Sequence, residues 1–279
     1  MDLTGCKIFI NFLIKIPDPP LKTCSICVIC VPFCYLNAKE AQFFHTDLLN
    51  RVNMIKFVAK SINTIIGKLL SRKKIFISNS LEALQRKRRI DNNYFDYVRI
   101  ATLELISFEI NSKKLTGNIA ELGVYKGKFG RYINQFFPDR RFYLFDTFEG
   151  FDKRDVKKEQ MEKYSSGEQD FSDTSVEKVL KIMPHPDKCV PVKGFFPESA
   201  KNIEDSFVFV SLDADLYEPT YNGLSYFYPR MVHGGYVFVH DFNNDAYKGA
   251  RKAVERFCDE NHINYLPIPD SMGSAVIVK

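Results

Sequence analysis

The stretch of residues 118–151 constrains this chain most, because it predicts a strand, a glycine loop, a helix and a second strand in succession. The apolar run Asn118 to Leu122 predicts a buried strand that stops before Gly123. The run Arg141 to Phe145 predicts another strand, which stops before Asp146. A glycine turn after one strand and an acid after the next are the arrangement that binds a nucleoside in a doubly wound α/β sheet. We therefore expect Asp146 to accept hydrogen bonds from ribose hydroxyls.

The loop after the first strand indicates which nucleoside fits. A dinucleotide fingerprint requires glycine at the second position of G-x-G-x-x-G, where the backbone approaches a pyrophosphate, but Tyr125 stands there. Glu121, just before Gly123, suits a cationic amino-acid group better than a diphosphate, so the loop favours S-adenosylmethionine over NAD. The alternative is an ordinary strand-to-helix turn. The predicted cofactor-binding residues are Glu121, Gly123, Tyr125, Gly127, Asp146 and Thr147.

Two later strands of the predicted sheet each end at an acidic residue. The run Phe207 to Leu212 precedes Asp213, and the run Tyr236 to His240 precedes Asp241. Because neighbouring strands lie about 4.8 Å apart, the two carboxylates can share one hard cation, and all-oxygen coordination suits Mg²⁺. Further oxygen donors follow nearby in the sequence: Asp215, Asn243 and Asn244. The alternative is that these acids cap helices or bind the ligand directly.

Other patterns predict helices and connections around these strands. A helix from about Asn92 to Ile110 should border the cofactor site. Its predicted buried stripe is Tyr94, Phe95, Val98, Ala101, Leu105 and Phe108. The charged stretch Asp152 to Gly167 predicts a lid loop, with solvated disorder as the alternative. Ser172 or Asp173 should cap a helix that ends at Met183, and the pair at 234–235 predicts a glycine turn.

The length of 279 residues, 45% of them hydrophobic, suffices for one large α/β domain with an extension. The formal net charge of +5 is modest, so nothing indicates a nucleic-acid partner. The basic amphipathic pattern over 54–70 predicts a helix that packs on its own domain or on a second copy, with peripheral membrane contact as the alternative. We therefore expect a homo-oligomer. The predicted domains are a weakly ordered or non-native extension (1–53), N-terminal helices for capping or oligomerisation (54–115) and a catalytic domain (116–279).

Cysteine usage separates the N-terminal segment from the rest. Cysteines at 24, 27, 30 and 34 have the spacing of a bacterial iron-sulfur motif, but Tyr35 replaces the usual proline and the intervening residues are apolar. We interpret this segment as weakly ordered, or as translated sequence upstream of a true start at Met54. Cys189 and Cys258 stand singly, as reduced cysteines do, so we expect a cytoplasmic protein without a structural disulfide in its body.

Five motifs in order resemble one known family. They are ELGVYKG, FDTFEGF, SLDADLYEPT, YPRMVHGGYVFVHDF and the KGARKAVERF helix, and they are similar to the macrocin O-methyltransferase (TylF/MycF) family. The resemblance spans roughly residues 92–279. It implies a Rossmann-like class I methyltransferase fold, with a seven-stranded, mostly parallel sheet, helices on both faces and an N-terminal helical extension. It also implies S-adenosylmethionine as donor, Mg²⁺ dependence, and a hydroxyl of a sugar or glycosylated small molecule as acceptor.

The resemblance also implies roles for individual residues. The family holds its metal on the aspartate that matches Asp213 and on an adjacent Asp-Asp pair, which falls here on His240 and Asp241. Because the first member of the pair is histidine in this chain, the third ligand stays open between His240, Asn243 and a water. The predicted catalytic residues are Asp213, as proton acceptor, and His240. Two other functions remain as alternatives: a nicotinamide-dependent oxidoreductase and a non-catalytic nucleoside-binding scaffold.

Overall fold

The structure is a computed structural model that describes residues 96–279. The chain divides into two units, Met1–Asn79 and Ser80–Lys279, and all described residues belong to the second. The cysteine-containing segment, the predicted helix over 54–70 and the proposed start at Met54 lie outside the described residues. The predicted domain boundaries at 53 and 115 therefore stay predictions.

Helices and strands alternate along the described part of the chain. The helices are α1 (Tyr97–Ser112), α2 (Lys128–Phe136), α3 (Lys153–Met161), α4 (Val176–Ile182), α5 (Tyr217–Arg230) and α6 (Lys248–Asn261). The strands are β1 (Asn118–Leu122), β2 (Phe142–Asp146), β3 (Cys189–Lys193), β4 (Phe207–Leu212), β5 (Met231–Val239), β6 (Leu266–Ile268) and β7 (Ser274–Val278). Short 3₁₀ turns at Pro186–Lys188 and Glu198–Ala200 precede and follow β3.

The strands form one seven-stranded sheet in the order β3-β2-β1-β4-β5-β7-β6. Strands β1 to β5 are parallel, whereas β7 runs antiparallel to β5 and to β6. This confirms the predicted Rossmann-like class I methyltransferase fold. The chain leaves β1 toward β2 and β3 and returns beside β1 with β4, so the order reverses between β1 and β4. A doubly wound sheet binds its ligands at the carboxyl ends of the strands flanking such a reversal.

Helices cover both faces of the sheet. Successive residues of β1 point to opposite faces, so Ile119 packs in the core beneath α1 and α2, while Ala120 packs in the core beneath α5 and α6. Phe129 of α2 belongs to the first core and Phe227 of α5 to the second, and both side chains are buried. With the sheet buried on both faces, its loops at the carboxyl edge are left as the accessible functional surface.

The predicted buried stripe of the first helix is wrong. Leu105 and Phe108 are 38% and 43% exposed. The buried apolar residues are instead Ile100, Ala101, Leu103, Ile106 and Ile110, of which the prediction had only Ala101. Apolar residues occupy several sides of α1, so their spacing does not single out one face. Tyr94 and Phe95 lie outside the described residues.

Three further local predictions differ from the structure. The charged stretch predicted as a loop contains α3, which the Asp152 side chain caps by accepting from the Arg154 amide at 2.9 Å. The cap of α4 is Ser175, not Ser172 or Asp173, because it is the Ser175 hydroxyl that accepts from the first turn. Residues 234–235 lie inside β5, where the pairing with β4 jumps between Phe207 and Phe209. The glycines thus form an irregularity within a strand rather than a turn between elements.

Two of the chain's cysteines lie within the described residues. Cys189 and Cys258 are free thiols, and burial raises the pKa of each to about 11.

Within residues 96–279, no helix combines the length and the apolar character needed to cross a bilayer.

Candidate active site

A pocket of about 430 Å³ lies at the carboxyl edge of the parallel strands. Its volume falls in the range of small-molecule sites. Its walls come from the loops after β1 to β5 and from α3 with the segment that follows it. The sequence-predicted residues that line it are Glu121, Gly123, Tyr125, Asp146, Thr147, Asp213, His240 and Asp241. The structure therefore brings together all the predicted site residues except Gly127 and Asn243.

Gly123 lies where the loops after β1 and β4 touch. Its φ is +84°, and a Cβ atom there would lie 2.1 Å from the backbone oxygen of Asp213. The amide of Asp213 in turn donates to the carbonyl of Leu122 at 2.8 Å. Only glycine fits this position, since both the backbone angle and the close approach exclude a side chain. The contact places the predicted cofactor loop directly against the predicted metal aspartate.

Asp146, at the end of β2, holds the glycine loop in place. Its Oδ2 accepts from the amides of Val124 and Tyr125 at 2.6 and 2.8 Å, and its Oδ1 accepts from the amide of Phe148 at 2.7 Å. A carboxylate offers about four acceptor positions, so these three amides leave capacity for a further donor. Thr147, the next residue, donates its hydroxyl proton to the carbonyl of Gly150 at 2.6 Å. Sequence reasoning placed Asp146 in the pocket but did not anticipate that it organises the loop.

Glu121, on β1, is a buried carboxylate with an unpartnered oxygen. Its side chain is 1% exposed, and its Oε2 has no hydrogen-bond partner among the described residues. A Cβ on Gly130 would lie 2.4 Å from that oxygen, so this glycine of α2 makes room for the carboxylate. Burial, followed by repulsion from Asp213, raises the pKa of Glu121 well above its ordinary value, against an opposing effect of Arg99. An orphaned acid of this kind suits a cationic ligand group.

The two other predicted residues of the loop have different surroundings. Tyr125 has a φ of +47°, and its hydroxyl donates to Asp173 at 2.7 Å. Its ring packs edge-on against Phe171, with centroids 4.9 Å apart. Gly127 precedes α2 with a φ of +69°, and a Cβ there would lie 3.0 Å from side-chain atoms of Val179 and Met183. Gly127 therefore serves the packing of α2 against α4 and does not line the pocket.

Asp213, His240 and Asp241 form a compact group that lines the pocket. His240 Nδ1 lies 2.9 Å from Asp213 Oδ1 and 2.7 Å from Asp241 Oδ2. One atom from each of the three side chains lies within 4.8 Å of the other two. The group forms because β4 and β5 are neighbouring parallel strands and both end here. Asp241 has a φ of +57°, which turns its side chain toward the same space as that of His240.

The remaining oxygen of each aspartate is held by a neighbouring donor. Arg99 of α1 donates from Nη2 to Asp213 Oδ2 at 2.8 Å, and its guanidinium carbon lies 3.7 Å from the ring centroid of Phe129. Asn244 donates from Nδ2 to Asp241 Oδ1 at 2.7 Å. Sequence reasoning missed Arg99, although an arginine inside an otherwise apolar helical run was an available signal, since a buried guanidinium needs an anionic partner.

The ionisable side chains of this part of the pocket shift one another's pKa. Burial opposes ionisation of Asp213, but His240 and Arg99 outweigh it and hold the pKa of Asp213 well below its usual range. Burial likewise disfavours the charged imidazole, yet the Asp213 carboxylate more than compensates and raises the pKa of His240 to about 10. Asp215 shows the opposite effect, since burial and the carboxylates of Asp241 and Asp213 raise its pKa well above the ordinary value.

Asn243, one of the predicted metal ligands, lies outside this group. Its side chain is exposed, and its amide oxygen accepts from Arg251 Nη1 at 2.6 Å. The β-carbon of Asn243 packs against Gly273, where an added Cβ would lie 2.4 Å away. The residue that does face the pocket from this turn is Asn244.

Another part of the pocket wall comes from α3 and the segment after it. Asp155 of α3 lines the pocket, as do Gln169 and Phe171. Burial, followed by repulsion from Asp152 and Glu218, raises the pKa of Asp155 to about 7. The hydroxyl of Tyr247 donates to the Gln169 side chain, which joins this segment to the start of α6.

Comparisons with known proteins agree with this architecture. The solved structure of the O-methyltransferase NovP is 20% identical, with a TM-score of 0.56 over 66% of this chain and 80% of NovP. The structure of the calicheamicin methyltransferase CalS11 is also 20% identical, with a TM-score of 0.52 over 78% of this chain and 91% of CalS11. At such identities the likeness concerns the fold alone. No curated protein sequence matches the chain.

The sequence itself identifies the family. The family model described as Macrocin-O-methyltransferase (TylF) matches residues 62–273, which is more than half of the chain. The matched region contains β1 to β5 and every pocket residue described above. The chain belongs to the TylF macrocin-O-methyltransferase family and is an S-adenosylmethionine-dependent methyltransferase.

Proposed function

We propose that this enzyme methylates a hydroxyl group of a sugar or glycosylated small molecule and that a divalent cation assists the reaction. The observation that carries the proposal is the contact between Gly123 and Asp213, where a Cβ would lie 2.1 Å from the Asp213 carbonyl oxygen. It brings the cofactor loop and the acidic group into one pocket. The family resemblance supplies the acceptor class, since its members methylate sugar hydroxyls, and the carboxylate and amide side chains in the pocket suit a polyhydroxylated ligand.

The residues present fit S-adenosylmethionine. The unpartnered Oε2 of buried Glu121 would accept from the α-ammonium group, and the free capacity of Asp146 would accept from a ribose hydroxyl. The pocket wall around the cofactor would include Gly123, Tyr125 and Thr147. When bound, the cofactor supplies an already activated methyl group on its sulfonium, so the protein's work is mainly to bind and orient.

The residues present also fit a divalent cation. Asp213 Oδ1, Asp241 Oδ2 and His240 Nδ1 face one another, and their partners Arg99 and Asn244 hold the outer oxygens. This is the supporting arrangement that orients metal ligands. Mg²⁺ is the ion that the resemblance implies. A cation held there would acidify and orient the acceptor hydroxyl.

Asp213 stays the proposed proton acceptor, and His240 is the alternative base for a reaction without a metal. Both side chains line the pocket, and Asp213 is 22% exposed at its side chain, so an acceptor hydroxyl can reach it. Its depressed pKa makes it a weak base on its own, which is why an acidified hydroxyl is part of the proposal. A glycan or small-molecule acceptor is the proposed partner. The homo-oligomeric state, membrane contact through 54–70 and a cytoplasmic location stay predictions.

Calorimetry with S-adenosylhomocysteine and with NAD tests the cofactor assignment. We expect S-adenosylhomocysteine to bind and NAD not to bind, because Tyr125 occupies the position of the pyrophosphate glycine. Binding of NAD alone would contradict the proposal. Transfer of labelled methyl groups to a pool of sugars and glycosides then tests the acceptor class, and label found only in non-hydroxyl products would exclude O-methylation.

Removal of either carboxylate tests the cation. We expect Asp213→Asn and Asp241→Asn to abolish turnover, to leave S-adenosylhomocysteine affinity within a few-fold of wild type, and to resemble chelator-treated wild-type enzyme. An excess of divalent cation should restore the chelated wild type but neither variant. If chelator does not change turnover, both aspartates act without a metal, as helix caps or as direct ligand contacts.

A further inference from the structure

The acidic group differs from an all-oxygen site in one atom. Two of its three mutually facing donors are carboxylate oxygens, Asp213 Oδ1 and Asp241 Oδ2, and the third is the nitrogen His240 Nδ1. We propose, resting on the proposed function, that His240 coordinates the cation through Nδ1 and that this nitrogen shifts the site's preference from Mg²⁺ toward a transition-metal ion such as Co²⁺ or Zn²⁺.

The distances fit three ligands of one ion. Ligands about 2.1 Å from an octahedral ion lie about 3.0 Å from their neighbours. The separations of 2.9 Å from Nδ1 to Asp213 Oδ1 and 2.7 Å from Nδ1 to Asp241 Oδ2 are close to that spacing. His240 Nδ1 therefore lies at ligand spacing from both carboxylate oxygens, and all three side chains line the pocket.

The outer contacts fix the orientation of the carboxylates. Arg99 takes Asp213 Oδ2 and Asn244 takes Asp241 Oδ1, so the other oxygen of each aspartate faces Nδ1. Both aspartates are thereby oriented before an ion arrives, as is usual for metal sites. Arg99 is 5% exposed at its side chain, and this burial keeps the orienting contact away from water.

The nitrogen changes the selectivity for chemical reasons. Mg²⁺ prefers oxygen ligands and keeps several waters, whereas imidazole is a favoured ligand of Fe²⁺, Ni²⁺, Cu²⁺ and Zn²⁺. Of the amide oxygens in this turn, that of Asn243 accepts from Arg251 Nη1 at 2.6 Å and that of Asn244 accepts from the Ala246 amide at 3.0 Å. Within residues 96–279, the third position of this group is therefore filled by nitrogen.

Metal binding to the full chain tests the proposal without relying on turnover. Co²⁺ and Mg²⁺ affinities are measured by calorimetry for wild type, His240→Asp and His233→Asp. His233 is an exposed histidine near the other end of the same strand, β5, and serves as the matched control. We expect His240→Asp to lower the ratio of Co²⁺ to Mg²⁺ affinity by at least about tenfold, and His233→Asp to keep the wild-type ratio.

Proton NMR of the Co²⁺-loaded wild type supplies a second readout that needs no variant to fold. A coordinated imidazole should give one exchangeable, paramagnetically shifted N–H resonance, present in wild type and His233→Asp and absent in His240→Asp. An unchanged affinity ratio, Co²⁺ bound without that resonance, or no Co²⁺ binding would each overturn the proposal. Titration of the same samples with S-adenosylhomocysteine separates this result from the cofactor assignment of the proposed function, which fails if the cofactor product does not bind.

Discussion

Glu121 is a single residue whose protonation should report cofactor binding. Burial and the neighbouring Asp213 raise its pKa in the free protein, and an α-ammonium group beside it would lower that pKa again. Binding of S-adenosylhomocysteine should therefore release protons between the ordinary carboxyl range and the raised pKa, and affinity should increase with pH across that window. Calorimetry in buffers of different ionisation enthalpy measures the release. Glu121→Gln should show none, and equal heats for wild type in both buffers would contradict the role of Glu121.

A second prediction for a single residue concerns Asp146. Asp146→Ala removes the acceptor of the Val124, Tyr125 and Phe148 amides, so the loop loses its anchor together with the proposed ribose contact. We expect at least about tenfold weaker binding of S-adenosylhomocysteine. Asp139→Ala is the control, because Asp139 is an exposed acid before the opposite end of β2. A cofactor affinity that Asp146→Ala leaves unchanged would exclude both functions of this carboxylate.

Residues that end strands were predictable from sequence, and residues that support them were not. Asp146, Asp213 and Asp241 were found because a buried strand followed by an acid is visible in one dimension. Arg99 was not found, because it contacts Asp213 from a helix 114 positions away in the sequence. Asn243 and Asn244 were indistinguishable by sequence, since only the backbone turn decides which amide faces the pocket.

At the scale of elements, α3 is attached to the domain through a buried acid. Glu159 is 1% exposed, it accepts from the amide of Tyr217, and a Cβ on Gly249 would lie 2.4 Å from its Oε1. Its carboxyl group thus lies at the first turns of both α5 and α6. Beside it, Lys158 pairs with Glu218 at the start of α5. One helix of the pocket wall is therefore held by two helix N-termini.

This attachment predicts a pH-dependent stability. Burial raises the pKa of Glu159 from 4.5 to about 7, despite the opposing Tyr217 amide and Ser165 hydroxyl. A raised folded-state pKa contributes stability that is present below pH 4.5 and is lost as the pH rises to about 7. Between these limits the wild type should lose on the order of 2 to 3 kcal/mol more unfolding free energy than Glu159→Gln.

Urea unfolding at pH 4.5 and 7.5 measures the difference. Glu162→Gln is the control, because Glu162 is an exposed glutamate just past the end of α3. It should follow the wild-type pH dependence. Equal pH dependences of wild type and Glu159→Gln would show that the buried carboxyl does not titrate in this range.

Elements were predicted well where one physical signal dominates. Runs such as Phe207–Leu212 and Ser274–Val278 are apolar except for one serine each, and both coincide with strands. The helix α3 was missed because it lacks an apolar stripe and buries carboxyl groups instead, which no hydrophobic pattern reveals. The buried face of α1 was predicted wrongly because apolar residues occupy several sides of this helix.

At the scale of the whole molecule, the seven strands found within residues 96–279 lie between positions 118 and 278. The family match begins at residue 62, so residues 1–53 lie outside both. We expect a chain that starts at Met54 to bind S-adenosylhomocysteine with the affinity of the full chain and to melt within a few degrees of it. Calorimetry and thermal unfolding of both chains test this. Loss of binding, or iron and sulfide in stoichiometric amounts in the full chain, would show that the cysteine-containing segment is functional.

His240 and Asp241 are neighbours in sequence, yet their side chains meet at 2.7 Å. In a regular strand they would point to opposite faces, and it is the φ of +57° at Asp241 that directs both into one space. The backbone turn therefore sets the arrangement of the two side chains, and the residue at position 240 determines only which donor atom is offered. A single nucleotide change converts an aspartate codon into a histidine codon. Under the proposed metal role of this group, one such mutation would change the donor atoms offered to the ion, and with them the metal that enzymes of this fold use, while the fold stays constant.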